Sequence, residues 1–145
     1  MSVAEVTALQ ITGATIESLS GNGVSLLPNI LGIDYFENIL EPSVSMEMQL
    51  WSTNSLFDLV PIRGGEKVTL EIETSRGLWE FDDDNPLYVY KVADLDSQKL
   101  GETFTLHLVS REFLTNETNR CTKKYEKKNI NEHVKSILKD VLKTD

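Results

Sequence analysis

Three segments of the chain alternate apolar and polar residues at every second position, and this pattern constrains the fold more than any other feature. The apolar positions are Val44, Met46, Met48 and Leu50; Val68, Leu70 and Ile72; and Phe104, Leu106 and Leu108. Successive side chains of a β-strand point to opposite faces, so a period of two predicts strands with one face in a core and the other in solvent. The chain is therefore predicted to be mainly β.

Shorter strands are predicted around these three, each bounded by turn-forming residues. They cover residues 3–12, 14–19, 24–27, 33–40, 78–81 and 87–92. Gly13 is expected to separate the first two strands, and turns are predicted at 20–23, 63–66, 82–86 and 94–101, which are rich in glycine, asparagine, aspartate or serine. Residues 52–60 are expected to form a short helix or a loop. About seven short strands with regular turns predict an antiparallel β-barrel or sandwich.

The C-terminal region has a different period, close to four residues. Its apolar stripe consists of Ile130, Val134, Ile137, Leu138, Val141 and Leu142. This spacing predicts a helix with Asn129 as its N-cap. Glu132, three residues later, is expected to complete a capping box by bonding back to Asn129. We expect a barrel domain over residues 1–111. Residues 112–145 are expected to hold a polar linker and the amphipathic helix, which either packs on the barrel or begins a second domain.

Charge is spread unevenly over the 145 residues, whose net charge is −9. Residues 1–110 hold 5 basic and 17 acidic side chains, whereas 111–145 hold 9 basic and 6 acidic ones. An acidic body repels phosphate backbones, so tight nucleic-acid binding is not expected. Five of the basic residues, Arg120, Lys123, Lys124, Lys127 and Lys128, surround Tyr125. This cluster is interpreted as a solvated linker, or alternatively as a contact for phosphates or an acidic partner.

Neither histidine belongs to a sequence motif typical of a metal site. His107 lies inside a predicted strand and His133 in the helix, and neither has the spacing of zinc ligands. Asp82, Asp83 and Asp84 lack the alternation and central glycine of a calcium loop, so an exposed turn is the better interpretation. The single cysteine, Cys121, is interpreted as a surface thiol. No metal or cofactor is therefore expected.

Acidic residues offer no clear catalytic pair either. Glu71, Glu73 and Glu80 are predicted on the solvent faces of strands, and no serine lies in a G-x-S-x-G elbow. The N-terminus lacks a basic and apolar leader, and no run of 18 apolar residues occurs, so neither secretion nor membrane insertion is expected. We expect a protein that is not an enzyme.

Three stretches resemble the phage baseplate hub family, which is related to the spike protein of type VI secretion. The first is IDYFENIL at residues 33–40, and the second is VPIRGGE at residues 60–66. The third combines YVYKV at residues 88–92, FTLHLVS at residues 104–110 and INEHVKSIL at residues 130–138. The resemblance spans most of the chain but includes no catalytic motif. Hubs of the family are usually longer and contain a second tube domain.

The resemblance implies a tail-tube-like β-barrel with a flanking helix. Domains of this kind trimerise into a pseudo-six-fold ring that joins the tail tube to the central spike. DNA would pass through such a ring without specific binding. The protein is thus expected to be a structural virion protein of the tail baseplate, made in the host cytoplasm.

Two alternatives remain open from the sequence. The first is a tail tube or tail-completion protein, which would form hexamers by itself. The second is a cell-wall hydrolase or glycan-binding module, for which Trp51, Trp79 and Glu80 are the candidate residues.

Overall fold

A computed structural model describes residues 9–41, 43–53, 56, 60–120, 122, 124, 126 and 129–142. About half of the chain is β-strand and a fifth is helical, which confirms the prediction of a mainly β fold with a C-terminal helix. The strands are β1 (Gln10–Glu17), β2 (Gly23–Ser25), β3 (Ile30–Phe36), β4 (Ser45–Ser52), β5 (Lys67–Thr74), β6 (Gly77–Phe81), β7 (Leu87–Gln98) and β8 (Gly101–Ser110). A 3₁₀ turn at Leu27–Asn29 precedes β3.

The eight strands form one antiparallel sheet with the order β2-β1-β5-β7-β8-β4-β3. Strand β5 pairs with β7 only through Lys67–Tyr88 and Val68–Leu87, and beyond this point β6 takes the place of β7 along β5. The sheet thus divides into a first arm, β2-β1-β5-β6, and a second arm, β7-β8-β4-β3. Within the described strands the sheet is open, so the closed form of the expected barrel is not made.

The inner faces of the two arms enclose a single hydrophobic core. Ile16 and Leu70 contribute from the first arm, while Met48 and Leu106 contribute from the second, and all four are almost completely buried. The three alternating segments therefore face the core as their pattern predicts. Burying side chains of this size contributes roughly 1.5–3 kcal/mol each, which makes this core the main source of stability.

Aromatic side chains fill the gap between β3, the last strand of the second arm, and β6, which pairs with β5 in the first arm. The ring of Tyr35 on β3 meets Trp79 on β6 edge to face at 4.5 Å, and Phe81 lies 5.3 Å from Trp79. No strand pairing joins β3 to β6 in the described chain. This aromatic seam, composed of Tyr35, Trp79 and Phe81, closes the core by side-chain packing instead of backbone hydrogen bonds.

The predicted turn at 63–66 forms around a buried carboxylate. Glu66 is fully buried, and its side chain accepts hydrogen bonds from the backbone N–H groups of Arg63 at 2.6 Å and Gly64 at 2.9 Å. Gly64 and Gly65 have positive φ angles of 100° and 90°, which favour glycine. The Gly65 N–H then donates to the carbonyl of Val89 at 2.7 Å, which fixes the turn to β7.

Gly13 does not end a strand, which corrects the prediction of two strands at 3–12 and 14–19. Strand β1 continues through it, with a register shift between Ile11 and Gly13 against β5. A Cβ at Gly13 would meet only side-chain atoms of the exposed Glu71, the nearest being Oε2 at 2.9 Å, so a larger residue here would require that side chain to shift. Residues 1–8, the earlier part of the first predicted strand, lie outside the described residues.

Two strand ends also differ from prediction. Strand β3 runs from Ile30 to Phe36 instead of covering 33–40, because Asn38 begins a turn in which its Oδ1 accepts the N–H of Leu40. Strand β7 extends to Gln98, so the turn predicted at 94–101 is reduced to the tip of a hairpin with β8. A bulge between Ala93 and Asp96, with Asp94 at a φ of 53°, lets the pairing continue.

The region predicted as a polar linker begins with a helix, α1 (Arg111–Thr118). Its Phe113 ring packs edge to face on Tyr90 of β7 at 4.9 Å, which holds the helix on the outer face of the sheet. The C-terminal helix is confirmed as α2 (Ile130–Ser136), which continues as a π-helical stretch over Ile137–Leu142. Asn129 is its N-cap, but no side-chain capping hydrogen bond forms, so the predicted capping box is wrong.

The apolar stripe of α2 and its continuation has no buried residue, although the continuation contacts α1.

Of the predicted segment at 52–60, residues 54–55 and 57–59 lie outside the described residues. The N–H of Val60 donates to the carbonyl of Leu56 at 2.8 Å, the spacing of one helical turn. None of the described helices is long and apolar enough to span a membrane.

Candidate functional site

One end of the sheet gathers acidic side chains from segments that are far apart in the sequence. The register aligns the ends of β1, β3 and β8 with the starts of β4, β5 and β7, so their loops emerge together. The acidic members of these loops and strand ends are Glu17, Glu37, Glu41, Asp82, Asp83, Asp84 and Glu112. We call this region the acidic end.

A cavity of about 640 Å³ opens at the acidic end. Its walls include Glu37 and Glu41 from the β3–β4 loop, Asn85 from the β6–β7 loop, and Glu112 from the first turn of α1. Three carboxylates around one opening favour a cationic group over an anion. We call this feature the acidic cavity.

Ser110, which ends β8 and precedes α1, also lines the acidic cavity. Its N–H donates to the carbonyl of Val44 at 3.2 Å, but its buried Oγ has no hydrogen-bond partner and does not cap α1. A buried hydroxyl without a partner costs about 1–3 kcal/mol relative to a satisfied one. This wall of the cavity thus retains hydrogen-bonding capacity that the chain itself does not use.

The β3–β4 loop carries two aliphatic side chains into solvent beside the acidic cavity. Ile39 is 99% exposed and Leu40 is 88% exposed, and Ile39 also lines the cavity. The turn that presents them is ordered by Asn38, whose carbonyl accepts the N–H of Glu41 at 2.9 Å. Ordered, exposed aliphatic side chains at a turn are typical of a contact surface.

Lys67 is the basic residue that balances part of the acidic end. Its Nζ forms ion pairs with Asp83 and, at 3.7 Å, with Glu17. The hydrogen bond with Asp83 raises the pKa of Lys67 above its ordinary value, and the neighbouring carboxylates add to this effect. Since these side chains border solvent, the pairs contribute little to stability, but they hold the β6–β7 loop towards β1.

A second acidic surface lies on the outer face of the first arm. Glu71 and Glu80 are directly opposite each other on β5 and β6, and Glu73 follows on the same face of β5. All three point away from the core, as the sequence predicts. Like charges in opposed positions destabilise a sheet, so this outer acidic face carries a cost in the isolated chain.

The histidines occupy the positions that their segments predict. His107 lies opposite Glu47 on the outer face, with its Nδ1 3.4 Å from Oε1 of the glutamate, and His133 lies partly exposed in α2. Asp82 orders its loop, since its Oδ1 accepts the N–H groups of Asp84 and Asn85, both at 3.0 Å. In the described part of the chain no three acidic, histidine or cysteine side chains are placed to hold a metal ion.

The residues named for the glycan-binding alternative do not converge. Trp51 follows the inward Leu50 and points outward, whereas Trp79 is opposite Ile72 and points towards the core. Glu80, the next residue after Trp79, lies on the outer face. The two tryptophans thus belong to different faces of the sheet, and Glu80 does not share a face with Trp79.

Part of the basic cluster lies outside the described residues, namely Lys123, Tyr125, Lys127 and Lys128, together with Cys121. Lys124 pairs with Glu126 within the cluster.

The acidic cavity was not predicted from the sequence, because Glu37 and Glu112 meet only through the pairing of β3, β4 and β8. The one local signal was the apolar pair Ile39–Leu40 next to Glu41-Pro42.

No family model matches this chain, and a search of curated proteins finds no match.

Proposed function

We propose that this chain is a structural domain of a phage tail baseplate hub, where copies of it form part of the central ring. The observation that carries the proposal is the unpaired edge of β3, flanked by exposed apolar side chains. Within the described strands β3 pairs only with β4, and Leu31 and Phe36 are exposed along it. Such an edge is suited to pairing with another chain.

The composition of β3 supports an edge that is used in assembly. Natural edge strands are usually protected by lysine, by proline or by short length. Strand β3 has seven residues, ILGIDYF, and Asp34 is its one charged member. Apart from the register shift between Ile30 and Gly32, this edge has none of these protections, and pairing around a symmetry axis would give it a partner.

Electrostatics supports a ring whose channel allows DNA to pass. The outer acidic face places Glu71 opposite Glu80, a repulsion that gives the isolated sheet no benefit. Facing a channel, these carboxylates would repel phosphates and keep DNA from adhering to the wall. We propose that this face contributes to the lumen, and that DNA passes it without specific binding.

The sequence stretches that resemble the hub family lie on connected parts of the structure. The first covers most of β3 and the turn after it, the second is the turn around Glu66, and the third includes the β7–β8 hairpin and α2. In this proposal the ring joins the tail tube on one side to the central spike on the other, within the virion. The role is structural and non-catalytic.

Electron microscopy of tails that contain the chain tests this proposal. We expect the chain at the central axis, with acidic strand residues on the inner wall and the basic cluster away from it. A position outside the axis, or a lumen lined by Lys123, Lys124, Lys127 and Lys128, contradicts it. A monomer in dilute solution alone does not.

The number of copies per ring in the same maps distinguishes the hub proposal from the tail tube or tail-completion alternative. A hub contributes tube-like domains to a trimer, whereas a tail tube or tail-completion protein would contribute six identical copies per ring. Six copies stacked along the tube would replace the hub assignment, while the assembly role of the β3 edge would remain.

A further inference from the structure

The acidic cavity and the Ile39–Leu40 turn form one continuous surface, because Ile39 belongs to both. This acceptor surface offers carboxylates from Glu37, Glu41 and Glu112, together with the two exposed aliphatic side chains. The buried Oγ of Ser110 in its wall lacks a partner. A ligand suited to it would bring hydrogen-bond donors with positive charge and, immediately beside them, apolar groups.

The chain itself contains a segment with this combination. Residues 120–128 hold five basic side chains and one acidic one. The helix α2 follows directly, and its apolar stripe is open to solvent, with Ile130 82% exposed and Val134 and Leu138 also exposed. Basic and apolar parts are thus consecutive in the donor segment, residues 120–138, just as acidic and apolar parts adjoin in the acceptor surface.

We propose that the acceptor surface of one copy binds the donor segment of a neighbouring copy. Lysine or arginine side chains enter the acidic cavity, and the stripe of α2 packs on Ile39 and Leu40. The contact is heterologous, since two different surfaces meet, and repetition of such a contact closes into a ring or extends as a filament. This inference rests on the proposed function for its assumption that copies of the chain are neighbours.

Three features favour a neighbouring copy over the chain's own segment. The helix α1 begins at the cavity with Ser110 and Glu112, and its eight residues carry the chain away over about 12 Å before the donor segment begins. The stretch Ile137–Leu142 contacts α1, while Ile130, Val134 and Leu138 of the stripe stay exposed in the isolated chain. Charge asymmetry between the two halves of the sequence also favours head-to-tail association.

Reversal of charge in the full chain tests the contact. One variant carries Glu37→Lys, Glu41→Lys and Glu112→Lys, and a second carries Arg120→Glu, Lys124→Glu and Lys127→Glu. Sedimentation at low salt and high protein concentration should show association of the native chain and at least about tenfold weaker association of each variant alone. An equimolar mixture of the two variants should associate again, since each acceptor then meets a donor of opposite charge.

Four outcomes overturn the proposal: a native chain that stays monomeric under these conditions, variants that associate like the native chain, a mixture that does not recover, and an effect of the variants that is independent of concentration. Circular dichroism of each variant checks the fold. Because the substituted residues that the structure describes are exposed or partly exposed, the unfolding free energies of the variants should stay within about 1 kcal/mol of the native value.

A second pair of variants tests the apolar part without changing charge. Ile39→Ser with Leu40→Ser should weaken association, whereas Leu78→Ser, an exposed position on β6, should not. Equal effects of the two variants contradict the assigned contact. Native association that responds to these variants, in a chain that microscopy finds outside the tail axis, would retain the contact and reject the hub role. Rings at the tail axis that form equally well with all variants would retain the hub role and reject the contact.

Discussion

The carboxylate of Glu66 accepts the backbone N–H of Gly64 at 2.9 Å while being fully buried beneath its own turn. A second bond from the N–H of Arg63 uses the other carboxylate oxygen. Buried charges are costly unless they are hydrogen-bonded, and here the bonds come from groups that would otherwise be unsatisfied donors. This relationship orders the turn between Pro61 and β5, and with it the pairing of β5 and β7.

Replacing Glu66 with Ala should lower the unfolding free energy by about 2–5 kcal/mol, since the backbone N–H groups of Arg63 and Gly64 lose their acceptor and the fully buried side chain leaves a cavity. Glu66→Gln should also destabilise the protein, because its amide nitrogen cannot accept one of the two bonds. Urea unfolding monitored by circular dichroism measures both. Glu73→Gln, an exposed control on β5, should change the free energy by no more than about 0.5 kcal/mol. A Glu66→Ala variant as stable as this control would contradict the assigned role.

Leu106 on β8 lies at the centre of the core and is completely buried. Its replacement by Ala should cost about 2–5 kcal/mol, which combines lost burial with a residual cavity. The matched control is Gln49→Ala, an exposed position on the adjacent strand β4, for which a change within about 0.5 kcal/mol is expected. Equal midpoints of urea unfolding for the two variants would show that the inner and outer faces were assigned wrongly.

Phe113 joins α1 to the sheet through its ring contact with Tyr90. Phe113→Ala should destabilise the protein by about 1–3 kcal/mol and reduce helical signal, because an isolated helix of eight residues is not stable in water. Glu117→Ala, exposed on the same helix, is the control for a change in helix propensity alone. Helical signal preserved in Phe113→Ala would mean that another contact holds α1.

Alkaline pH should lower stability partly through Tyr35. Burial raises the pKa of Tyr35 above its ordinary value of 10.0, and the carboxylate of Glu37 raises it further. Because the folded state holds this proton more tightly than the unfolded state, the contribution to stability is fully present below pH 10.0 and is lost as the pH rises through the higher folded pKa. Unfolding free energy should thus fall less steeply above this pH in Tyr35→Phe. If the unfolding free energies of the native protein and of Tyr35→Phe fell equally steeply with pH, the expectation would be contradicted.

The sequence predicts the fold best where one face of a strand is in the core. Alternation identified β4 and β5 because their outward residues are polar and more exposed than the inward ones, whereas on β8 the outward Thr105 and Val109 are buried as well. The alternating pattern underestimated the length of β7. Residues 94–98 of this strand are mostly polar and exposed, and pairing with β8 holds them in the strand. The pattern missed α1 for a similar reason, since Phe113 finds its partner, Tyr90, more than 20 residues earlier in the chain. Non-local partners of this kind leave no local pattern.

The acidic cavity depends still more on tertiary structure. The alternating pattern predicted strands β4 and β8, but it could not predict their order in the sheet, which brings Glu37 next to Glu112. The net charge of the first 110 residues did indicate an acidic surface. The location of that surface required the register of six strand ends.

Because the aromatic seam joins β3 to β6 without a backbone ladder, the two arms can separate there while every described strand pair stays intact. Local opening is easiest where few hydrogen bonds must break, so amide hydrogens of β3 should exchange with solvent ahead of those of β8. Strand β3, which pairs only with β4 within the described strands, would then behave as a subglobal unfolding unit. A proteolytic cut in the β3–β4 loop should accordingly require less free energy than global unfolding, and β3 is where adaptation to a partner can occur without loss of the fully buried core residues of β4.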